Sequence, residues 1–283
     1  MWFFRLLSRI PFPLLYSLAW FIYLVLYYVV CYRRAVVDQN LKQAFPEKSD
    51  VEIRHLARGF YRHFSRLTLE ILKARTMTQE QFRERVTLVN EQLLLDRVAE
   101  GKQSVIILTI HQGNWEWALH GVSSHTSLPM DAIYKPLHHS GWNKFIHEVR
   151  SRFGSRPVAM ADAAKDLISR RREFRVFVMV ADQSAPVAKG LWLNFLNGEA
   201  VFYEGAEKIA QLTKFPVLFA QSRVTSAGRY EVVFHELADP PYEKGSHTIV
   251  ERYVQLAERV IHQQPETFLW SNRRWKKKRP SHL

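Results

Sequence analysis

From Ile10 to Tyr32 the chain carries no charged residue, and Leu14 to Cys31 reads LLYSLAWFIYLVLYYVVC, apolar or aromatic almost throughout. At about 1.5 Å of rise per helical residue such a run covers a hydrocarbon layer of roughly 30 Å. Tyr16, Trp20, Tyr27, Tyr28 and Tyr32 crowd its two ends, where amphipathic rings suit headgroup depth. Arg5 and Arg9 precede it and Arg33 and Arg34 follow it, so the flanking charge is too balanced to fix an orientation. A cleaved signal peptide fits less well, because the stretch is long, no small-x-small site follows and Arg33-Arg34 closes it abruptly. Val30 stands before Cys31 where a lipoprotein site wants a small residue. The sequence therefore predicts a retained anchor over residues 1–34, spanning the membrane or lying in its interface, with residues 35–283 as the domain it holds.

Beyond the anchor the hydrophobic period is helical over Val51–Leu72 and Thr78–Glu100. It then changes. Short β-branched runs at Ser104–Ile110, Asp131–Tyr134, Arg175–Ala181, Pro216–Gln221 and Tyr230–Phe234 read as strands. Helical patterns at Gly141–Phe153, Asp162–Arg172, Gly205–Lys214 and Thr248–Gln263 lie between and after them. Strands alternating with helices predict an α/β fold, a mixed central sheet covered by helices, behind the N-terminal membrane-anchor helix.

The segment richest in chemistry is Ile110-His111-Gln112-Gly113-Asn114-Trp115-Glu116, where a buried strand ends and a helix begins. Open α/β sheets place ligands at this edge. On one continuous helix His111 and Glu116 would lie about 140° apart and share no face. If His111 ends the strand, Gly113 makes the bend and Asn114 caps the helix, Glu116 falls in the first turn, within reach of the imidazole. Glu116 would then orient His111 as it takes a proton from an attacking hydroxyl. Taken by itself, a surface histidine beside a helix cap explains the same residues.

The surrounding residues add a resemblance. The strand, H-Q-G-N-W-E and the apolar helix after it resemble the H-x-x-x-x-[D/E] motif of glycerolipid acyltransferases, in the form found in the lipid A late-acyltransferase family of lauroyl and myristoyl transferases. Co-linear matches run along nearly the whole chain: Asn40-Leu41 and Ala44-Phe45-Pro46, Tyr134-Lys135-Pro136, Arg152-Phe153-Gly154, Ala181-Asp182-Gln183, Phe195 to Gly198, and Trp270 to Lys276. The resemblance implies an O-acyltransferase at the cytoplasmic side of the cell inner membrane. It implies acyl carrier protein, or acyl-CoA, as donor and a lipid A precursor or other lipid as acceptor, with His111 the general base and Glu116 its partner. It implies no cofactor and no metal. Acyl transfer passes through a tetrahedral oxyanion, and the turn amides near Gly113 and Asn114 are candidate donors to it. Two departures bear on the acceptor. Lys135 stands where the family commonly has Arg, which removes a bidentate fork, and Phe195-Leu196-Asn197-Gly198 replaces the more usual Phe-Phe-Gly.

Other candidate substrate contacts are Asp182 and Gln183 at a strand end, and Arg273 and Arg274 between Trp270 and Trp275, where cations alternating with aromatics suit a phosphate-rich headgroup region. The plainer readings are a turn role for Asp182 and a solvated basic face for the arginines, the latter more for Arg274 than for Arg273. His120, His125, His138, His139 and His147 read as surface or core residues. The single cysteine, Cys31, excludes a disulfide within the chain and a cysteine-built metal site. A formal charge of +13 favours anionic partners: nucleic acid, anionic lipid or an acidic carrier. The basic residues are dispersed and no binding module is recognisable, so no nucleic-acid partner is expected. Another lysolipid or aminolipid acceptor stays open, and an inactive lipid-binding relative is disfavoured by the presence of both His111 and Glu116.

Overall fold

The computed structural model describes residues 2–99, 102–136, 140–170, 172–187 and 190–280; His138 and His139 lie outside the described residues. The chain opens with α1 (Trp2–Leu7) and α2 (Phe12–Leu24), separated at Pro11 and Pro13, which suit a helix start but not a helix interior. A π-helical turn over Val25–Val29 prolongs α2. Then follow α3 (Arg34–Ala44) and α4 (Asp50–Lys73). A capping box starts α4: the Ser49 hydroxyl accepts from the Glu52 amide, and the Glu52 carboxylate accepts from the Ser49 amide at 2.8 Å.

The helix expected over Thr78–Glu100 is three elements, α5 (Gln79–Arg85), β1 (Val86–Leu88) and α6 (Glu91–Val98). Its β-branched centre, Val86-Thr87, leaves the helix to pair with a later strand. The remaining elements are β2 (Val105–Thr109), α7 (Trp115–Thr126), β3 (Met130–Tyr134), α8 (Ser140–Arg150), β4 (Ser155–Ala159), α9 (Ala163–Ser169), β5 (Val176–Val180), β6 (Gly190–Phe195), β7 (Gly198–Tyr203), α10 (Gly205–Thr213), β8 (Val217–Ser226), β9 (Arg229–Ala238) and α11 (Thr248–Gln263). The five expected strands and the helices after β2 are all present, within a few residues of their expected bounds.

Seven strands form one mixed sheet in the order β1-β9-β8-β2-β5-β3-β4, parallel except for the antiparallel β8–β9 pair. Helices cover both faces, which is why β2 is buried along its whole length and reads as an unbroken apolar run. Ile106, Leu108 and Ile110 enter one core with α4, α10 and α11 residues such as Phe60, Ala210 and Tyr253. Val105 and Ile107 enter the other with Phe82, Trp117 and Phe145.

The β6–β7 hairpin stands apart from the large sheet. Its two-residue turn is Leu196-Asn197, both at positive φ (48° and 59°), as a tight hairpin requires. Asn197 Nδ2 donates to the Ala44 carbonyl at 3.0 Å, and Asn40 Nδ2 donates to the carbonyls of Trp270 and Asn272 at 2.7 and 2.6 Å. Motifs far apart in sequence, at 40–46, 195–198 and 270–275, are thus tied into one patch. Helix α2 with its π turn is the one described helix long and apolar enough to cross a membrane, at Phe12–Val29.

Candidate active site

Strands β2 and β5 are parallel neighbours in register, with Thr109 opposite Val180 as the last pair. Two residues beyond that pair stand His111 on one strand and Asp182 on the other, so the register delivers them side by side at the carboxyl edge of the sheet. His111 Nδ1 lies 2.5 Å from Asp182 Oδ1. The Asp182 carboxyl is buried, and burial opposes its charge, but His111 and then Arg274 outweigh that cost and hold it below the usual carboxylate range. An ionised carboxylate only accepts, so Nδ1 carries the proton and donates. Among the described residues Nε2 has no hydrogen-bond partner. His111 remains partly open, with 13% of its side chain exposed against 2% for Asp182.

The turn after His111 is held rigidly. Gly113 takes φ +60°, and a Cβ there would fall 2.3 Å from the Ser222 carbonyl oxygen, so the position admits only glycine. The Gly113 amide donates to the Thr267 carbonyl at 3.1 Å, and the Asn114 amide donates to Ser222 Oγ at 3.0 Å. Both amides expected to face an oxyanion are therefore engaged inside the protein. Asn114 caps α7 as expected, accepting from the Trp117 amide at 3.0 Å through Oδ1. Its Nδ2 donates to Glu70 Oε2 at 3.0 Å. Completely buried, Asn114 supports the turn from behind.

Two residues of α4, one heptad apart on the same face, brace this turn. His63 Nε2 donates to the Gly113 carbonyl at 2.9 Å, and burial together with Arg66 lowers its pKa to about 4, so it stays neutral. Burial raises the Glu70 carboxyl against the pull of hydrogen bonds from Tyr230 and Asn114. The sequence reading passed over both residues, although buried polar residues seven apart on an otherwise apolar helix face are a legible signal of a bracing role.

Glu116 does not pair with His111. Its carboxylate is gripped by Arg150 of α8, with Nε to Oε2 at 2.9 Å and a second bond from Nη2 to Oε1, and it accepts from Trp115 Nε1 at 3.2 Å. The physical reason is the helix start itself: Asn114 turns α7 so that Glu116 faces the end of α8, and the Trp115 indole stands between Glu116 and the imidazole. Trp115 meets the His111 ring edge-on, at 4.8 Å between centroids. Burial opposes the Glu116 charge, yet Arg150 holds the carboxyl below its ordinary range.

The remaining candidates divide by exposure. Lys135, just past β3, and Gln183, just past β5, are exposed on the same sheet edge as His111, because β3 and β5 are parallel neighbours. Arg273 is exposed, whereas Arg274 is buried, the reverse of the expected order. Arg274 lies 4.1 Å from the Phe202 ring centroid and 5.2 Å from that of Phe195, and Nη1 donates to the Asp182 carbonyl. Its Nε and Nη2 are buried without partners, and burial brings its pKa down to about 10. The aromatic hairpin made by β6 and β7 is what draws it inward, and nothing in the tail's basic run announces that. His120 is fully buried among Phe82 and Phe153, with both ring nitrogens unpartnered and its pKa lowered to about 4 by burial.

The edge thus offers a partly exposed imidazole backed by a buried carboxylate, with Lys135 on a neighbouring strand end. Compared with known families, residues 1–277 match the model described as bacterial lipid A biosynthesis acyltransferase. A comparison with curated proteins returns no match.

Proposed function

Because the chain belongs to the bacterial lipid A biosynthesis acyltransferase family, we propose that it moves a fatty acyl chain from a thioester, on acyl carrier protein or coenzyme A, to a hydroxyl of a lipid A precursor or related membrane lipid. The site works at the cytoplasmic side of the inner membrane. The observation that carries the chemistry is the His111–Asp182 pair, with Nε2 unbonded among the described residues and His111 partly exposed. Nε2 takes the proton of the acceptor hydroxyl as its oxygen attacks the thioester carbonyl. Asp182 stabilises the imidazolium that forms. The tetrahedral oxyanion collapses with loss of thiolate, which takes the proton back from His111, leaving an ester and a free thiol.

Glu116 has a different part in this reading: its carboxylate fixes Arg150. Arg150 Nη1 makes no hydrogen bond among the described residues and the side chain keeps 18% of its surface exposed, so Arg150 supplies positive charge for an oxyanion or a phosphate. Lys135 and Gln183, exposed along the same edge, and the exposed Arg273 are the proposed contacts to the acceptor headgroup. Gly113 and Asn114 serve the site by fixing the turn.

The test is acyl transfer by purified full-length protein from acyl carrier protein or acyl-CoA to a lipid A precursor, with products read by mass spectrometry. His111→Ala is expected to lose at least the roughly 10²-fold that general-base catalysis contributes, with its circular dichroism spectrum unchanged. A folded His111→Ala protein retaining more than about a tenth of wild-type turnover, against that lower bound, removes His111 from the role.

A further inference from the structure

The apolar segment that reads as a membrane span is tied to the catalytic domain at both ends. Before α2, the Ile10 carbonyl accepts from Lys73 Nζ at 2.9 Å, the Ser8 carbonyl accepts from Thr76 Oγ1, and the Phe4 ring packs on Trp142 and Phe145 at 5.3 and 5.5 Å. After α2, the Tyr32 carbonyl accepts from Tyr61, and Arg33 Nη1 donates to the Ser271 carbonyl at 3.0 Å. Along its length α2 lies antiparallel on α4. Leu15, Ala19, Tyr23 and Tyr27, every fourth residue, are buried. The opposite stripe, Leu14, Phe21, Leu24 and Tyr28, is exposed and equally apolar. A helix that is apolar on both sides and docked on one has its other side free for lipid.

The surface beside that stripe is cationic. Helix α4 carries Arg54, Arg58 and Arg62 at four-residue intervals, all exposed, and none makes an ion pair among the described residues. The Arg62 guanidinium sits 5.5 Å from the Trp20 ring centroid and 5.4 Å from that of Tyr23, which places the ridge directly against α2. A helix crossing the bilayer in this packing would carry these arginines into hydrocarbon, where a charge is costly, and would strand its two tied ends on opposite sides. Both conflicts vanish when α2 lies parallel to the surface.

We propose that the protein is monotopic: α2 lies in the membrane interface with its outer stripe in the acyl layer, and the Arg54–Arg58–Arg62 ridge seats on the headgroups of anionic phospholipids. This rests on the membrane attachment proposed above. The ridge has the spacing, about 6 Å per step, and the exposed positive charge that such a surface complements.

The experiment has two arms. In a Cys31→Ser background, Arg9→Cys and Lys208→Cys, both on exposed positions at either side of α2, are probed with an impermeant maleimide in sealed inner-membrane vesicles of known orientation. Labelling of both from the same face is expected; labelling from opposite faces overturns the proposal. Absence of the protein from the washed vesicles overturns both this and the attachment it rests on, so the two failures are told apart. In the second arm, flotation with phosphatidylcholine vesicles, with or without phosphatidylglycerol, compares the full chain with Arg54→Gln/Arg58→Gln/Arg62→Gln. The triple variant is expected to lose at least about tenfold in binding to the anionic vesicles, given roughly fivefold for each cation near such a surface, and nothing on the neutral ones. Unchanged vesicle binding with a raised KM for acyl carrier protein assigns the ridge to the acidic donor and overturns its assignment to lipid.

Discussion

Asp182→Asn isolates the charge behind His111. Asparagine keeps the shape of the buried side chain, but its amide cannot stabilise an imidazolium, and its N–H₂ can turn toward Nδ1 and force the imidazole proton onto Nε2, the nitrogen that must accept. The attraction lost is that of two unit charges in contact at a site where the carboxylate is 2% exposed. At an effective dielectric of about 20 and a separation near 4 Å this is about 4 kcal/mol, close to a thousandfold in rate. We expect turnover to fall by roughly 10² to 10³-fold with little change in KM, since Asp182 touches His111 rather than the substrate. The assay is single-turnover acyl transfer at saturating acceptor, with thermal unfolding as the control. His111→Ala/Asp182→Asn should be little worse than His111→Ala, because the pair acts as a unit. Glu116→Gln behaves differently: it takes the counter-charge from Arg150, whose side chain is only 18% exposed, so any activity loss should come with a lowered unfolding temperature. Asp182→Asn with turnover within threefold of wild type, beside an inactive His111→Ala, would refute the reasoning.

If Arg274, which donates to the Asp182 carbonyl, acts on the reaction through Asp182, Arg274→Met should reduce turnover more than it raises KM and Arg274→Lys should restore part of the loss; a purely structural role predicts a lowered unfolding temperature with turnover intact at temperatures where the variant is folded. His63 and His120, each with a pKa lowered to about 4, stay neutral in the folded chain while the unfolded chain protonates below about 6.5. Stability is therefore expected to fall as pH drops from about 6.5 toward 4, by roughly 2 kcal/mol for each histidine at pH 5, and calorimetry across that range checks the slope. His120→Leu removes two buried unpartnered nitrogens from an aromatic cage and should flatten the slope by about half without lowering the unfolding temperature at pH 7; a steep slope retained in that variant would place the titration elsewhere.

How much of this was legible depends on the range of the interaction. Turn chemistry is local, and the sequence announces it: Gly113 at positive φ, Asn114 as cap and the start of α7 follow from neighbours alone. Hydrophobic periodicity likewise gives α11 at its full extent. The partner of His111 is a different kind of fact. Asp182 lies 71 residues away and arrives only because β2 and β5 are adjacent and in register, and nothing in either strand's composition specifies that adjacency. The nearest carboxylate in sequence, Glu116, is the natural guess, and the structure commits it to Arg150. Thr78–Glu100 fails for a related reason: Val86-Thr87-Leu88 fits a helical stripe as well as a strand, and only the exposed edge of β9 decides between them.

The anchor shows the limit of hydropathy most clearly, and it joins the membrane reading to the chemistry. Composition measures how apolar a segment is and is silent on which apolar faces meet protein, so a helix with its inner stripe in the core and its outer stripe in lipid has the same signature as one that spans. The inner stripe of α2 packs on α4, and α4 is also the helix whose His63 and Glu70 brace the catalytic turn. One rigid element therefore has the apolar helix α2 on one side and the Gly113–Asn114 bend on the other. A spanning α2 would have to separate from α4, exposing Tyr23 and Tyr27 and loosening the helix that holds His63 and Glu70 in place. If α2 holds the membrane as proposed, attachment and the bracing of the catalytic turn both depend on the same packed pair of helices.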